Sequence, residues 1–343
     1  MRELLENAGL FHSTDTHKDD NAPWFVSVLQ AISGWIASIF VLLTLGLFFG
    51  RFFNHIPMLV ALGTGLIVAA FTLLKEEGYT LFLRHVGLAL SLAGQALITL
   101  ALFEWWNHPS SDSLLWLGVA ALELILMLRM PDDLHRVFSA GVFGLAWIFG
   151  LHTLGVGALA APALLGGLVW LSLHEFDDPD AIFSRQAIGW GLSLVVVLSA
   201  VWGHAIYHDW LLASNAPHIS LNRPWITGLL SGGVLLYLIT VLTRESTQGG
   251  QLPLIVLGGA GAIALLSVVM PGLSVAITLL VLGFARGNTL LMGLGITALL
   301  GTSMHFYYAL HTTLLIKSLL LIATGIVLLI LYWLLLSTHQ ERS

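Results

Sequence analysis

Two ionisable side chains, Glu123 and Lys317, lie inside long apolar stretches of the sequence. A charged side chain in the middle of a membrane costs about 2.5–3.5 kcal/mol on insertion scales, so such residues usually face other helices. Lysine can reach along its own stem, and the two would pair if their helices are neighbours. Such a pair could couple proton or ion movement, because neutralising one partner changes the cost of burying the other. The alternative is a purely structural pair, or a lysine that snorkels outward beside an uncharged glutamate.

Two more polar residues fall on the third apolar stretch, Gln95 within it and Glu104 at its outer end. Both could line the same cavity as Glu123. Hydrogen bonding between neighbouring helices is the competing explanation, because side-chain amides commonly bridge helices in membranes. We therefore treat these four residues as candidates for intramembrane chemistry.

A histidine pair suggests a metal site. His204 and His208 are four residues apart, so they share a face if one helix runs through both. With Asp209, and with His218 as a further candidate ligand, they could bind a divalent metal, since zinc accepts imidazole and carboxylate ligands. Titration near neutral pH is a second use of histidine. The competing explanation is that histidines near a membrane surface cap helix ends and contact water.

No residue pattern predicts catalysis. The absence of cysteine excludes disulfides, thiolate metal sites and thiol nucleophiles. The sequence has no P-loop, HExxH or GxSxG motif, and the acidic segment 174–180 lacks the ligand order of an EF-hand. An intramembrane enzyme is the weakest alternative, because only His204, His208 and Asp209 approach a catalytic cluster. We expect no catalytic residue and no cofactor.

The composition predicts a membrane protein. Of the 343 residues, 57% are hydrophobic and only 9% are charged, whereas soluble proteins carry about 25% charged residues. Because so few charged residues cannot cover a water-facing surface, we expect lipid to surround most of the protein. The chain has no cluster of lysine and arginine, which excludes a nucleic-acid partner.

Apolar stretches of about 20 residues are long enough to cross the hydrocarbon of a bilayer as helices. The predicted fold is therefore an all-α polytopic transmembrane bundle of about 12 spans. The predicted spans are 31–50, 56–74, 86–103, 114–130, 137–154, 156–173, 186–206, 225–242, 252–270, 271–283, 289–306 and 313–336.

Basic residues predict the orientation. Ten of the 13 lysines and arginines fall on the side of the two termini, and only Arg51 and Arg223 fall on the other. Because basic loops stay in the cytoplasm, both termini are expected there. Residues 1–30 are then a cytoplasmic tail with a short helix, and residues 337–343 form a second cytoplasmic tail.

Three local features refine this topology. The connection around 151–157 is so short that spans five and six could be one element, and Pro271 could make spans nine and ten a single kinked or re-entrant element. The sequence Arg286-Gly287-Asn288 predicts a tight turn in which Asn288 caps the next helix. Glycines four apart, 46 with 50 and 228 with 232, predict close contacts between helices.

A faint internal repeat is visible near the start of each half. Gly34-Trp35 opens span one and Gly189-Trp190 opens span seven. The repeat predicts two six-helix halves, residues 31–173 and 186–336, which would run parallel because both start in the cytoplasm.

Two longer sequence blocks are familiar. One is Pro23-Trp24-Phe25-Val26, which leads into Gly34-Trp35; the other is the segment 282–288, followed by Phe306-Tyr307-Tyr308 and the segment 314–318. Together they resemble the bacterial multi-pass family known as domain of unknown function 4401, over residues 23–336. The resemblance implies a multi-pass protein of the bacterial inner membrane and carries no known activity. It also implies a membrane-protein partner, because the genes of relatives are expected beside genes for another uncharacterised multi-pass family.

Two functions fit these observations. One is a transporter or permease-like protein for a small solute or ion, based on the span count and the buried Glu123. The other is a non-catalytic component of a membrane complex or a sensor, based on the small number of polar residues inside the spans. Its partner would be another membrane protein or a second copy of the chain, besides lipid. The sequence does not identify a substrate.

Overall fold

The computed structural model describes residues 24–50, 55–75, 81–105, 112–213, 223–246 and 254–309, together with eight positions between 314 and 329. The described residues form helices joined by short turns, and none of them is in a strand. Eleven α-helices lie in the six continuous ranges. They are α1 (Trp24–Phe49), α2 (Ile56–Lys75), α3 (Leu81–Trp105), α4 (Asp112–Arg129), α5 (Asp133–Thr153), α6 (Ala160–Leu173), α7 (Ile182–Ala213), α8 (Pro224–Ser246), α9 (Leu254–Leu266), α10 (Gly272–Ala285) and α11 (Thr289–Ala309).

The helices match the predicted apolar stretches. Within the described ranges, six are long and apolar enough to cross a membrane, which is consistent with a membrane protein. Three shorter apolar helical stretches accompany them: Gly157–Leu173, Val256–Leu266 and Gly272–Ala285. The count of 12 spans and the cytoplasmic position of the termini stay predictions. The predicted helix within residues 1–30 lies outside the described residues.

The structure shows the path of two connections that the sequence left open. Between α5 and α6 the chain turns at Gly155, whose φ is 80°, and makes the short 3-10 helix Gly157–Leu159, so these are two helices. Between α9 and α10 it makes a turn over residues 267–271, with Pro271 directly before the first residue of α10. Proline is favoured near a helix start, since the first turn has no use for its missing N–H.

Contacts along the chain divide it into two compact units, residues 1–101 and 102–343. In the first unit, α2 and α3 cross at Gly63 and Gly94. A Cβ built on Gly63 would lie 2.8 Å from the carbonyl oxygen of Gly94. The missing side chains therefore let the two backbones approach closely. The predicted halves of 31–173 and 186–336 stay a prediction.

The second unit contains one large apolar core built around α10. This helix packs against α6, α7, α8, α9 and α11, and nine of its residues are buried. Leu279 and Leu282 of α10 meet Leu165 of α6, Val196 of α7 and Leu238 of α8, all of them at most 1% exposed. A helix that is apolar on all sides is expected at the centre of a bundle.

The predicted glycine contacts are confirmed for one of the two pairs. On α8, a Cβ built on Gly228 would collide with the carbonyl oxygen of Ser267, and one on Gly232 would lie 2.7 Å from the Cβ of Ala264 on α9. Around Gly46 and Gly50, no described atom lies within 4 Å of such a Cβ. Glycine spacing thus marks the close crossing of α8 and α9.

Candidate functional site

The helices α4 and α5 form an antiparallel hairpin whose connection, Met130-Pro131-Asp132, places polar groups inside the protein. The carboxylate of Asp132 accepts a hydrogen bond from the backbone N–H of His135 at 2.9 Å and so caps the start of α5. The backbone of Asp132 is extended, with φ −88° and ψ 129°, as expected of a residue that precedes the first helical turn. This cap fixes where α5 begins and therefore which α5 residues face α4.

Glu123 of α4 faces α5 and is fully buried, with 1% of its surface exposed. The hydroxyl of Ser139, one turn beyond His135 on α5, donates a hydrogen bond to the Glu123 carboxylate. The second carboxylate oxygen, Oε2, is buried and has no hydrogen-bond partner among the described residues. A carboxylate oxygen without a partner is uncommon in a protein interior, because desolvating it costs free energy that a hydrogen bond normally offsets.

His135 extends this contact into a chain of three side chains. Its ring nitrogen Nδ1 lies 3.3 Å from the hydroxyl oxygen of Ser139. When the Ser139 proton points to Glu123, the hydroxyl oxygen can accept a hydrogen bond from the imidazole in the tautomer that carries a proton on Nδ1. The three groups can therefore pass a proton between an imidazole and a carboxylate through one hydroxyl. We call Glu123, Ser139, His135 and the capping Asp132 the hairpin polar cluster.

The burial of this cluster limits its chemistry. All four side chains are at most 2% exposed, so an aqueous substrate has no access to them. The neighbouring Arg136 points away: its Nη1 donates to Asp133 at 2.9 Å and to Ser184 of α7 at 2.6 Å. Protons are the species that a buried carboxyl–hydroxyl–imidazole chain handles without an open binding site.

Of the remaining candidates from the sequence, Gln95 is buried and its side-chain N–H donates to the Ser91 hydroxyl at 3.3 Å on the same helix. Hydrogen bonding within α3 is therefore one use of Gln95. Glu104 is exposed near the end of α3. Neither the hydrogen bond of Gln95 nor the exposure of Glu104 assigns these residues a function, and their role in a cavity stays a prediction.

The proposed partner of Glu123 and the proposed metal ligands are only partly described. Lys317 lies outside the described residues. The helix α7 runs to Ala213, so its backbone continues through both His204 and His208. The side chains of His204, His208 and Asp209 lie outside the described part of the structure, and so does His218. Among the side chains that are described, no group of three histidine, aspartate or glutamate residues is placed to hold a metal ion.

Sequence reasoning singled out Glu123 but missed its three neighbours. A serine and a histidine four residues apart, at 139 and 135, share a face of α5. Asp132 precedes His135 by three residues, a spacing typical of a helix cap. These signals were present, but only the pairing of α4 with α5 shows that this face meets Glu123.

The described helices, many of them apolar and six long enough to cross a bilayer, indicate a polytopic helical membrane protein. Within that class, the chain belongs to the family described as Domain of unknown function (DUF4401), whose model matches residues 23–338. The resemblance seen in the sequence is thereby confirmed. No curated protein and no solved structure matches the chain.

Proposed function

We propose that this protein is a transporter or permease-like membrane protein in which proton exchange at Glu123 is coupled to the movement of a small solute or ion. The observation that carries the proposal is the fully buried Glu123, with one oxygen bonded to Ser139 and the other without a described partner. Ionisable residues inside membrane helices are costly, and they are typical of ion pathways and proton relays.

The arrangement around Glu123 supports a proton relay more than a structural contact. A structural polar contact is most stable when every donor and acceptor is paired, since an unpaired buried group is destabilising. Here one carboxylate oxygen lacks a described partner, while the other is linked through Ser139 to a titratable imidazole. Such a chain can change its protonation without moving the backbone, which is what coupling requires.

Flux through reconstituted protein tests this proposal. The full chain, reconstituted in liposomes with a trapped pH-sensitive dye, is expected to dissipate a proton gradient when the correct ion or solute from a panel is added. Glu123→Gln keeps the shape and can still bond Ser139, but it cannot exchange a proton. We expect it to lower the flux at least about tenfold, which corresponds to about 1.4 kcal/mol in the barrier.

Asp177→Asn is the matched control, because it makes the same change from carboxyl to amide at an exposed acidic residue that is not a candidate site residue. We expect its flux to stay within about twofold of the unmodified protein, since an exposed carboxylate adds little to a buried relay. Equal flux in the two variants would contradict the role of Glu123. The absence of any flux across a broad panel of ions and solutes would contradict transport itself.

A second function, a non-catalytic component of a membrane complex or a sensor, is favoured by three other buried hydroxyls. Thr278 bonds the carbonyl of Ser274, Ser193 that of Gly189, and Ser267 that of Ile263, all within their own helices or at their ends. Hydroxyls used in this way do not need an aqueous path.

Extraction in a mild detergent should then recover the chain with a membrane-protein partner or as a homo-oligomer. A stable, partner-free protein from its native membrane would count against this function.

A further inference from the structure

The second unit contains a small pocket with charged residues in its lining at the ends of α6, α7 and α10, and it shares no residue with the hairpin polar cluster. Its volume is about 140 Å³. The polar lining includes Glu175, Arg185, Gln186, Arg286 and Asn288, and the other lining residues include Ser172, Trp190 and leucines of α6 and α11. Pockets for drug-sized ligands measure about 300–1,000 Å³. This pocket therefore suits a single polar group rather than a whole organic solute.

Two arginines give the pocket its charge. Among the described residues, neither Arg185 nor Arg286 forms an ion pair with a carboxylate; Arg185 donates from Nη1 to the carbonyl of His174, and Arg286 stacks its guanidinium 5.5 Å from the ring centre of Phe176. A guanidinium has five N–H donors, so both retain donors beyond these contacts. One acidic residue, Glu175, also lines the pocket, and its Oε1 is taken by the side-chain amide of Gln186 at 2.5 Å.

The backbone adds positive potential at the same place. The pocket lies beside the first turns of α7 and α11, where the helix dipole favours an anion. Asn288 uses its Oδ1 to cap α11 by accepting from the N–H of Leu291 at 3.1 Å, which leaves its side-chain NH₂ as a donor. Within the lining itself, two guanidiniums, two helix starts and one amide therefore stand against one carboxylate.

Large exposed apolar side chains lie close in sequence to the residues that line the pocket. Phe176, Phe183, Phe284 and Leu290 are 61%, 71%, 78% and 68% exposed, and each lies within two residues of a lining residue. In a membrane protein such side chains contact lipid, and aromatic rings favour the headgroup level. A ligand that carries its phosphate at the headgroup level could therefore reach the arginines from within the membrane.

We propose that this pocket is a binding site for a phosphate group, and that its occupant is the headgroup phosphate of an anionic membrane phospholipid. Arg286 and Arg185 bind the phosphate oxygens through charge-assisted hydrogen bonds, as arginine commonly does with phosphate. The exposed apolar side chains hold the acyl chains outside the pocket. This site is separate from the hairpin polar cluster and does not depend on the proposed transport function.

Lipid binding to the purified full chain tests the site. Phosphatidylglycerol, phosphatidylcholine or inorganic phosphate is added to the protein in detergent, and bound lipid is measured by native mass spectrometry and stability by thermal unfolding. We expect retention of phosphatidylglycerol over phosphatidylcholine. Arg286→Gln should weaken phosphatidylglycerol binding about tenfold to a hundredfold, because hydrogen bonds to a charged group are lost.

Two further variants separate the site from general effects of charge and of folding. Arg129→Gln removes an exposed arginine from the end of α4, outside the pocket, and should bind phosphatidylglycerol as the unmodified protein does. Ser172→Leu fills part of the pocket while keeping both arginines, so it should also lose the lipid. This second variant tests the site even when Arg286→Gln lowers the yield of folded protein.

Each outcome decides the proposal. Loss of phosphatidylglycerol binding in Arg286→Gln and Ser172→Leu, but not in Arg129→Gln, supports a lipid occupant. In a second outcome, Arg286→Gln and Ser172→Leu lose the stabilisation by inorganic phosphate, but all variants bind the lipid equally. This outcome supports a phosphate site and overturns the lipid as its occupant. Equal binding of both probes by Arg286→Gln and Arg129→Gln overturns the site.

Discussion

Two helical hairpins of the second unit share the same turn chemistry and differ in what their helices enclose. In the pair α4–α5, Asp132 caps the second helix; in the pair α10–α11, Asn288 does, after Gly287 at φ 62°. Between α4 and α5 lies a carboxyl, hydroxyl and imidazole chain. Between α10 and α11 lie glycine contacts: a Cβ built on Gly295 would lie 2.8 Å from the backbone nitrogen of Leu280.

The comparison of the two hairpins shows which features are needed to pair two helices and which are not. The pair α10–α11 shows that a short capped turn and close glycines suffice to hold two antiparallel helices together. The pair α4–α5 has the same kind of cap, and its Gly150 also faces side chains of α4. Glu123 is therefore an addition that hairpin formation does not need, and this supports the functional role that we propose for it.

The largest effect is expected for Gly295→Ala, which tests how far the pair α10–α11 depends on close backbones. The new methyl would meet the backbone of Leu280, so we expect a loss of about 1–3 kcal/mol in stability. Thermal unfolding in detergent measures it. Gly293→Ala is the control, because no described atom lies within 4 Å there and alanine favours a helix. In the other hairpin, Gly150→Ala should cost less, since its neighbours at 3.0–3.4 Å are side-chain atoms of Leu117 and Trp116.

The next effect concerns the shared caps. Asp132→Ala and Asn288→Ala should each lower the free energy of unfolding by about 1 kcal/mol, because each leaves a backbone N–H at a helix start without its acceptor. Asp132→Asn keeps an acceptor and should lose much less. Denaturant or thermal unfolding of the three variants checks this. A loss in only one hairpin would show that the two turns are not equivalent.

A smaller effect is expected from the hydroxyls inside the hairpins. Ser139→Ala removes the bond from α5 to Glu123 on α4 and should cost about 0.6 kcal/mol, the average for polar contacts between membrane helices. Thr278→Val in α10 should cost less, because that hydroxyl bonds the carbonyl of Ser274 on its own helix. A double-mutant cycle of Ser139→Ala with Glu123→Ala, in which each change removes the contact, measures it directly, and zero coupling would rule it out.

The smallest effect is expected for Asp133→Asn, next to the cap of α5. Asp133 pairs with Arg136 at 2.9 Å, but its side chain is 47% exposed. Exposed ion pairs three residues apart on a helix contribute about 0.3–0.5 kcal/mol and are screened by salt. Unfolding at low and high salt should show a small difference at low salt only. A loss as large as that of Asp132→Ala would mean that charge, rather than the capping position, governs this turn.

Most of the helices could be predicted from the sequence because a helix needs about 20 mainly apolar residues to cross the hydrocarbon of a bilayer. The stretch 56–74 was predicted and the helix is Ile56–Lys75. Boundaries failed where polar residues continue a helix beyond its apolar part. The helix α7 begins at Ile182 and ends at Ala213, whereas 186–206 was predicted. Backbone hydrogen bonds do not stop where hydropathy falls.

The candidate site was less predictable, for a physical reason. Glu123 is visible in the sequence because a charge in an apolar helix is rare and costly. Ser139 and His135 are not, because serine is common in membrane helices and a histidine at a helix start has many uses. Their importance comes from the register between α4 and α5, which the sequence of either helix alone does not contain.

The turn between α9 and α10 has a consequence for how topology can be measured. These helices have 13 and 14 described residues, about 20 Å each at 1.5 Å per residue, whereas the hydrocarbon core is about 30 Å thick. The pair either crosses the bilayer and returns, or enters it and leaves by the same face. In both cases the chain emerges on the side of the membrane from which it entered. Reporter fusions at either terminus would therefore read identically for ten or twelve crossings, and only a label at Val268 or Val269 would distinguish them.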